Sequence, residues 1–286
     1  MKVPDNTLFS LRKFFLSALS GYYEEREIAQ LFKLAAESYL KIPFNRPFGS
    51  DLRLSESEML LFFYLIKKLQ KYEPIQYALG EAWFCDLKLK VTPAVLIPRP
   101  ETEELIYWIQ TDFEEISNMA DLCTGSGCIP LSIKKQYPQA KVLGVELSEA
   151  ALSVACENAR NLNLELTLIQ ADVLQLSPAV LDEGLDVITS NPPYILKGEA
   201  GSLHQNVLDH EPHLALFAPD EDPFLFYRKI AELSMQKLRS GGMVYVEINH
   251  LHGYEVKDIF STAGLTEVTL KCDISERPRM IRGTRP

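Results

Sequence analysis

The sequence lacks the features that mark membrane proteins, secreted proteins and cysteine-bound metal sites. No apolar run, Met59–Ile66 included, approaches the ~20 residues that a membrane helix needs. The N-terminus has neither the apolar block nor the small-residue cleavage site of a signal peptide. The five cysteines form no Cys-x-x-Cys pair. These absences predict a cytoplasmic protein with reduced thiols, no metal and no membrane association.

Positive charge is scarce outside the first quarter of the chain. The formal net charge is −10 at pH 7. Residues 1–75 hold 11 Lys and Arg against 9 Asp and Glu, whereas the remainder holds 18 basic and 30 acidic residues. A negative field of this kind opposes binding to a phosphate backbone. Duplex DNA is therefore not expected as a substrate, although a local basic groove stays open.

Residues 1–75 carry the spacing of amphipathic helices. Apolar side chains recur at intervals of three and four in two stretches, which are Leu8, Leu11, Phe15 and Leu19, then Ile28, Leu31, Phe32 and Ala35. Ser55 and Glu58 form a capping box ahead of a third helix, which Pro74 closes. We therefore predict a small helical N-terminal domain.

After this domain the hydrophobic period changes twice. Residues 76–100 contain an apolar/polar alternation that predicts a strand or hairpin linker. In residues 101–286, strands and helices alternate, and this predicts an α/β domain with a mostly parallel sheet covered on both faces. Its strands are expected at 119–123, 141–146, 185–190 and 243–248. Its helices are expected at 127–136, 149–162 and 224–238, the last stopped by Gly241 and Gly242.

A glycine-bearing loop, Asp121-Leu122-Cys123-Thr124-Gly125-Ser126-Gly127, follows a predicted strand and opens a helix. Such a loop lies where open α/β sheets bind ligands. The next strand ends at Glu146, which can accept hydrogen bonds from both ribose hydroxyls, and Asp172 is placed to reach an adenine amine. A dinucleotide dehydrogenase has a similar loop, but its third fingerprint glycine is replaced here by Pro130. A turn without a ligand also stays open.

The segment Asn191-Pro192-Pro193-Tyr194 directly follows another predicted strand. The two prolines fix the backbone and remove two donors, so the segment offers acceptors to an N–H₂ group. The Asn191 side-chain oxygen and the Pro192 carbonyl can each accept one hydrogen of a planar amide or amine, while Tyr194 stacks on it. The pattern predicts methylation of such a nitrogen by alignment, without a strong base. The alternative is a rigid turn.

Together these residues resemble the PrmC/HemK family, whose members are S-adenosylmethionine-dependent methyltransferases of the Gly-Gly-Gln glutamine in peptide chain release factors. The similarity extends to Pro74-Ile75-Gln76-Tyr77-Ala78-Leu79-Gly80-Glu81, to Ile97-Pro98-Arg99-Pro100-Glu101-Thr102-Glu103-Glu104 and to Glu211-Pro212-His213-Leu214-Ala215-Leu216. It implies a class I Rossmann-like methyltransferase domain, acting as a monomer. It also implies that the N-terminal domain recognises the protein substrate.

The resemblance implies roles for individual residues. The loop Cys123, Thr124, Gly125, Ser126 and Gly127, together with Glu146, Val173 and Asn191, is expected to contact S-adenosylmethionine, and Asn191 to Tyr194 are expected to hold the substrate glutamine. Three positions depart from the family pattern. Glu146 stands for the usual Asp, Cys123 for a common Gly, and Val173 for a position that is aromatic in some relatives.

Other chemistry-bearing residues have ordinary interpretations. Cys123 and Cys128 suit packing behind a turn better than redox or nucleophilic work. The three histidines between residues 204 and 213 have no Asp, Glu or Cys partner in a ligand pattern, which favours an exposed loop. Arg99 and Glu101 either orient the substrate loop or cap a helix. A nucleic-acid amino-methyltransferase and a non-enzymatic binding module stay as alternatives.

Overall fold

The computed structural model describes residues 5–41 and 52–286. In chain order its helices are α1 (Leu8–Leu19), α2 (Glu25–Leu40), α3 (Glu56–Leu69), α4 (Ile75–Leu79), α5 (Pro100–Asp112), α6 (Cys128–Gln136), α7 (Glu149–Leu162), α8 (Gln205–His210), α9 (His213–Leu216), α10 (Leu225–Lys237) and α11 (Gly253–Thr262). Its strands are β1 (Glu81–Phe84), β2 (Leu87–Lys90), β3 (Asn118–Leu122), β4 (Lys141–Glu146), β5 (Thr167–Gln170), β6 (Leu185–Ser190), β7 (Leu238–Glu247), β8 (Thr266–Cys272) and β9 (Pro278–Thr284). None of the described helices is long and apolar enough to span a membrane.

The chain divides into two compact units. The first comprises Met1–Gly80 and Gln205–His210, and the second comprises Glu81–His204 and Glu211–Pro286. The predicted linker, 76–100, is thus split, because α4 belongs to the first unit and the β1–β2 hairpin to the second. The hairpin buries apolar side chains in the core of the second unit, and this explains its place there.

The first unit is helical, as the spacing of its apolar residues predicts. The rings of Phe15, Phe32 and Phe62, from α1, α2 and α3, meet at its centre with centroids 5.4–6.3 Å apart. The capping box of α3 is present, since Ser55 N donates to Glu58 Oε2 and Glu58 N donates to Ser55 Oγ. Burial of one face of each helix therefore holds the unit together.

The second unit is built on a seven-stranded sheet in the order β5-β4-β3-β6-β7-β9-β8. The five strands from β5 to β7 in this order pair in parallel with one another, whereas β9 is antiparallel to both β7 and β8. Successive residues of β3 alternate between two apolar clusters, with Met119 in one and Ala120 in the other. The sheet is thus buried on both faces, and the predicted α/β class is confirmed.

Two details of the second unit differ from the sequence prediction. The sequence prediction did not include the antiparallel strands β8 and β9. Strand β9 shows no clean apolar/polar alternation, whereas in β8 Val268, Leu270 and Cys272 alternate with polar residues and give a short signal that the prediction missed. The prediction that Gly241 and Gly242 stop helix α10 is wrong. The helix ends at Lys237, and both glycines lie inside β7, where a Cβ on Gly242 would come within 2.8 Å of the Leu185 carbonyl oxygen. The close approach of two strands therefore requires this glycine.

Candidate active site

A tight loop joins the end of β3 to the start of α6. Cys123, Gly125 and Gly127 in this loop have φ values of 63°, 57° and 81°. Glycine adopts positive φ freely, whereas a residue with a Cβ pays about 1–2 kcal/mol in this region. A Cβ on Gly127 would also lie 3.3 Å from that of Ala155 in α7. The predicted glycine turn is thus present, and Cys123 carries strain within it.

Asp121, on β3, fastens the base of this loop to the neighbouring strands. Its buried carboxyl accepts hydrogen bonds from Thr124 Oγ1 at 2.8 Å and from Thr189 Oγ1 of β6 at 2.7 Å. Thr124 N in turn donates to the Val145 carbonyl of β4. Burial raises the pKa of Asp121 to about 7. This carboxyl therefore holds the loop from within the protein.

Glu146 is the last residue of β4 and contacts the loop directly. Its Oε2 accepts from Gly125 N at 2.8 Å, and its Oε1 accepts from Ser148 N at 2.9 Å. Each carboxylate oxygen has about two acceptor positions, so one on each oxygen stays available. Glu146 can therefore hold the loop and still accept from two vicinal hydroxyls.

Asp172 lies beyond the end of β5, at the N-cap of a single 3₁₀ turn, Val173–Gln175. Its Oδ1 accepts from Leu174 N and its Oδ2 from Gln175 Nε2, both at 2.9 Å. Val173 is buried behind it. The turn thus fixes the Asp172 carboxylate beside the carboxyl edge of the sheet.

A cavity above this edge brings most of the predicted cofactor residues together. It is lined by Cys123, Thr124, Gly125, Ser126, Glu146, Asp172, Val173 and Asn191. Gly127 lies behind the loop, at the N-cap of α6. Sequence reasoning assigned no cofactor contact to several other wall residues, among them Leu96, Leu147, Ala151 and Phe226. Only their place in the fold, above the sheet edge, shows that they belong to the site.

The cavity fits an adenosyl sulfonium ligand. Two acidic side chains, Glu146 and Asp172, suit its hydroxyls and its positive charge, while Leu147, Val173 and Phe226 supply apolar surface for a flat base. Among the described residues, the buried Ser126 hydroxyl has no hydrogen-bond partner apart from the weak contact of the Cys128 thiol. A buried hydroxyl of this kind is satisfied when a ligand supplies the partner.

The Asn-Pro-Pro-Tyr segment follows β6 without an intervening residue. Asn191 and Pro193 line the cavity, whereas Pro192 is buried beneath it. The Tyr194 ring packs against the core cluster below the cavity. Its hydroxyl donates a 2.9 Å hydrogen bond to Glu247 Oε1, and burial together with this carboxylate raises the Tyr194 pKa far above its usual value. Tyr194 therefore stays a neutral phenol.

Glu247 is a residue of the site that sequence reasoning missed. It ends β7, the strand beside β6, and is 2% exposed. Its Oε2 accepts from Thr102 Oγ1 at 2.6 Å and from Asn191 Nδ2 at 3.0 Å. Burial raises the Glu247 pKa, and the hydrogen bonds from Thr102 and Tyr194 oppose that shift. The sequence signal that could have identified Glu247 is an acid at the carboxyl end of an apolar strand.

Arg99 and Glu211 form an ion pair that joins two segments of the cavity wall. Arg99 Nη2 lies 2.5 Å from Glu211 Oε1, and Ile97 N donates to Glu211 Oε2 at 3.2 Å. The side chain of Glu211 is 1% exposed. Of the two roles left open for Arg99, helix capping is absent, since no side chain caps α5 at this residue. The pair instead links residues before α5 to those that follow Glu211, including the wall residue Pro212.

Neither the thiols of Cys123 and Cys128 nor the three histidines between residues 204 and 213 are arranged for nucleophilic or metal chemistry. Burial raises the pKa of Cys128 to about 12 and that of Cys123 still higher, so both thiols stay protonated at neutral pH and are poor nucleophiles. Within residues 5–41 and 52–286, no group of three or more His, Cys, Asp or Glu side chains could hold a metal ion. His204, His210 and His213 accordingly form no such group.

Comparisons with known proteins agree with this geometry. Residues 101–213 match the family model "Methyltransferase small domain". The release factor glutamine methyltransferase of Flavobacterium psychrophilum is 38% identical over 274 residues, which cover 94% of this chain and 95% of that protein. The protein of the same name from Bacteroides thetaiotaomicron is 41% identical over 237 residues, or 83% of this chain and 85% of its own. The crystal structure of the hMettl16 catalytic domain has a similar fold, with a TM-score of 0.58 and 15% identity over 90% of this chain and 93% of that one.

Proposed function

The chain belongs to the release factor glutamine methyltransferases, an S-adenosylmethionine-dependent family, and from this premise we propose its acceptor and the residues that act. The acceptor is the side-chain amide nitrogen of the glutamine in the Gly-Gly-Gln motif of peptide chain release factors. Methylation of this glutamine tunes translation termination. The acting residues are those of the segment Asn191 to Tyr194.

The position of Asn191 carries the proposal. Its side chain lines the cavity, and its Nδ2 donates to Glu247 and, at 3.4 Å, to Thr102. Since Nδ2 is directed toward these two residues, Oδ1 is the atom that the amide can present to a substrate. An acceptor at the edge of the cofactor cavity suits an incoming N–H₂ group.

The chemistry needs alignment more than it needs a base. S-adenosylmethionine supplies an electrophilic methyl group when it is bound. Asn191 Oδ1 and the Pro192 carbonyl accept the two amide hydrogens of the glutamine, which orients its nitrogen and favours the pyramidal geometry that localises the lone pair. Transfer leaves S-adenosylhomocysteine, and the methylated nitrogen, which is cationic and therefore acidic, loses one proton to water. Tyr194 and Pro193 exclude water from one side. Alignment of this kind can contribute up to about 7–11 kcal/mol.

Separate residues hold the cofactor in this scheme. Glu146 accepts from the ribose hydroxyls through the acceptor positions that Gly125 N and Ser148 N leave open. Asp172 accepts from the adenine amine, and Val173 packs against the base. The backbone of the loop from Cys123 to Gly127 allows close approach of the ligand.

The N-terminal helical unit is proposed to recognise the release factor. Helix α3 exposes Leu60, Leu61 and Tyr64, of which Tyr64 is 61% exposed. Exposed apolar side chains of one helix suit a protein partner more than a small molecule. The acidic remainder of the chain opposes duplex DNA, and we further propose that the protein acts as a monomer in the cytoplasm.

Methyl transfer from radiolabelled S-adenosylmethionine tests the acceptor. Three substrates are compared, namely purified release factor, the same protein with the Gly-Gly-Gln glutamine changed to alanine, and duplex DNA. Label in the intact release factor alone supports the proposal. Label in DNA, or equal label in the glutamine-to-alanine protein, contradicts it. A chain that binds the cofactor and labels none of the three also contradicts it.

A further inference from the structure

The buried carboxylate of Glu247 receives three donors from two parts of the chain. Thr102 comes from α5, and Asn191 and Tyr194 come from the segment after β6. Their donor atoms lie 2.6, 3.0 and 2.9 Å from the Glu247 oxygens. The Glu247 backbone carbonyl also accepts from Tyr227 Oη of α10 at 3.1 Å. Three hydrogen bonds to the carboxylate and one to its backbone carbonyl leave the side chain little freedom to move.

Both Glu247 carboxyl oxygens are acceptors toward these three donors, and this arrangement fixes the Asn191 amide. A flipped amide would place Oδ1 against Glu247 Oε2, so two acceptors would face each other in a buried site. The orientation with Nδ2 toward Glu247 is therefore strongly preferred. The Asn191 oxygen is then held on the opposite side of the planar group, toward the cavity that Asn191 lines.

Resting on the proposed function, we propose that Glu247 is a positioning residue for methyl transfer, which orients Asn191 so that its side-chain oxygen faces the acceptor nitrogen. Donation to a carboxylate also polarises the amide, because hydrogen bonds in series strengthen one another. Oδ1 becomes a stronger acceptor as positive charge develops on the substrate nitrogen. The effect belongs to the transfer step and not to cofactor binding, since Glu247 does not line the cavity wall.

Thr102 gives this geometry a second support. Its Oγ1 donates to Glu247 Oε2 and accepts from Asn191 Nδ2, so the three groups form a closed ring of hydrogen bonds. Thr102 is 2% exposed and lies near the start of α5. The segment Ile97 to Glu104 therefore has a physical role, because it places Thr102 at the reacting centre.

The test is Glu247→Gln, which keeps the size of the side chain and replaces one acceptor by a donor. Because the introduced amide can present either its oxygen or its nitrogen to Asn191, the Asn191 amide no longer has one preferred orientation. We expect the single-turnover rate at saturating release factor to fall about 10-fold, and about 100-fold in Glu247→Leu. The KM for release factor and the Kd for S-adenosylmethionine should stay near those of the wild type.

Asp186→Asn is the matched control, because Asp186 is also a buried carboxylate but lies at the opposite end of β6, where it accepts from Ser117 N and Asn118 N. This variant should transfer methyl at the wild-type rate. A Glu247→Gln enzyme with the wild-type rate overturns the proposal, whether or not Glu247→Leu folds. So does a loss that appears only in KM or cofactor Kd, or an equal loss in the control.

A second measurement tests the role of Glu247 independently of the proposed acceptor. In protein with isotope-labelled asparagine, the Asn191 side-chain amide signal is assigned by its loss in Asn191→Ala. Hydrogen bonding to Glu247 predicts that the chemical shift of the Asn191 side-chain N–H is displaced and that this hydrogen exchanges slowly with water. In Glu247→Gln, both the chemical shift and the exchange rate should return to ordinary values. If the wild type methylates no release factor, this spectrum still decides the role of Glu247. An Asn191 signal unchanged by Glu247→Gln contradicts that role even where methylation succeeds.

Discussion

The backbone N–H of Gly125 donates a 2.8 Å hydrogen bond to Oε2 of Glu146. The acid at the end of β4 thus helps to hold the loop after β3, together with the bond from Thr124 N to the Val145 carbonyl. The residue that is proposed to accept from the ribose therefore also fixes the backbone that the cofactor approaches. A substitution of Glu146 is therefore expected to affect both the contact with the ribose and the backbone of the loop.

Glu146→Ala should weaken S-adenosylmethionine binding more than the loss of one hydroxyl contact would. We expect the Kd to rise about 100-fold, since hydrogen bonds to a charged acceptor contribute roughly 1.5–3 kcal/mol. Isothermal titration calorimetry measures it. Glu149→Ala, which removes an exposed acid at the start of α7, is the control and should leave the Kd unchanged. Equal Kd values for the two variants would contradict the role of Glu146.

The buried carboxyl of Asp121 should make the stability of the second unit depend on pH. Its pKa is about 7 in the folded protein, against an ordinary value of 3.8 for an aspartic acid side chain. Below about pH 4 both states are protonated, and the group costs nothing. Between about pH 4 and pH 7 only the unfolded chain loses its proton, so the free energy of unfolding falls as pH rises and levels off above about pH 7.

Asp121→Asn mimics the protonated acid and should flatten this dependence. Urea denaturation at several pH values between about 4 and 8 gives the free energy of unfolding of each variant. The difference between wild type and Asp121→Asn should grow across this range, to a few kcal/mol. The exposed Asp182→Asn serves as the control. Parallel pH curves for wild type and Asp121→Asn are the result that would count against the buried, protonated state.

The positive φ of Cys123 predicts unequal effects for two substitutions. Cys123→Gly relieves about 1–2 kcal/mol of backbone strain but adds flexibility to the unfolded chain, so the free energy of unfolding should change by less than about 1 kcal/mol. Cys123→Val places a β-branched residue at this φ and should lower it by about 2 kcal/mol or more. Thermal or urea unfolding distinguishes them. A Val variant as stable as the Gly variant would show that the loop is not strained.

The ion pair of Arg99 and Glu211 should be asymmetric, because the Glu211 side chain is 1% exposed and that of Arg99 is 31% exposed. Arg99→Ala leaves a buried carboxylate without its partner and should cost about 2 kcal/mol of unfolding free energy, less than a fully buried pair. Glu211→Gln removes the charge and keeps an acceptor for Ile97 N, and should cost under about 1 kcal/mol. Chemical denaturation measures both. The reverse order would contradict the burial argument.

Local pattern was sufficient to predict much of the site. Glu146 ends one short, mostly apolar strand and Asn191 follows another, so the rule that parallel strands share a carboxyl edge brings the two residues to one cavity. The α/β class and the helical first unit follow from the period of the apolar residues. The capping box of α3 also forms between the residues that the sequence pattern names, Ser55 and Glu58.

The remaining features depend on contacts between distant parts of the chain. Asn191 meets Glu247 only because β6 and β7 are neighbours, with Ser190 opposite Val246 in the register. The sequence does not state that pairing. Arg99 meets Glu211 across 112 positions, a separation at which spacing carries no information. Strand β9 was missed for a similar reason, since its pairing with β7 and β8, and not alternation, defines it.

The most direct test of the proposed chemistry is single-turnover methyl transfer by Asn191→Ala at saturating S-adenosylmethionine and release factor. Loss of one positioned acceptor at the reacting centre should lower the rate by at least about 100-fold, while urea denaturation shows only a modest loss of stability. That result would place the acceptor chemistry at Asn191. A rate near that of the wild type, with both substrates bound, would contradict it.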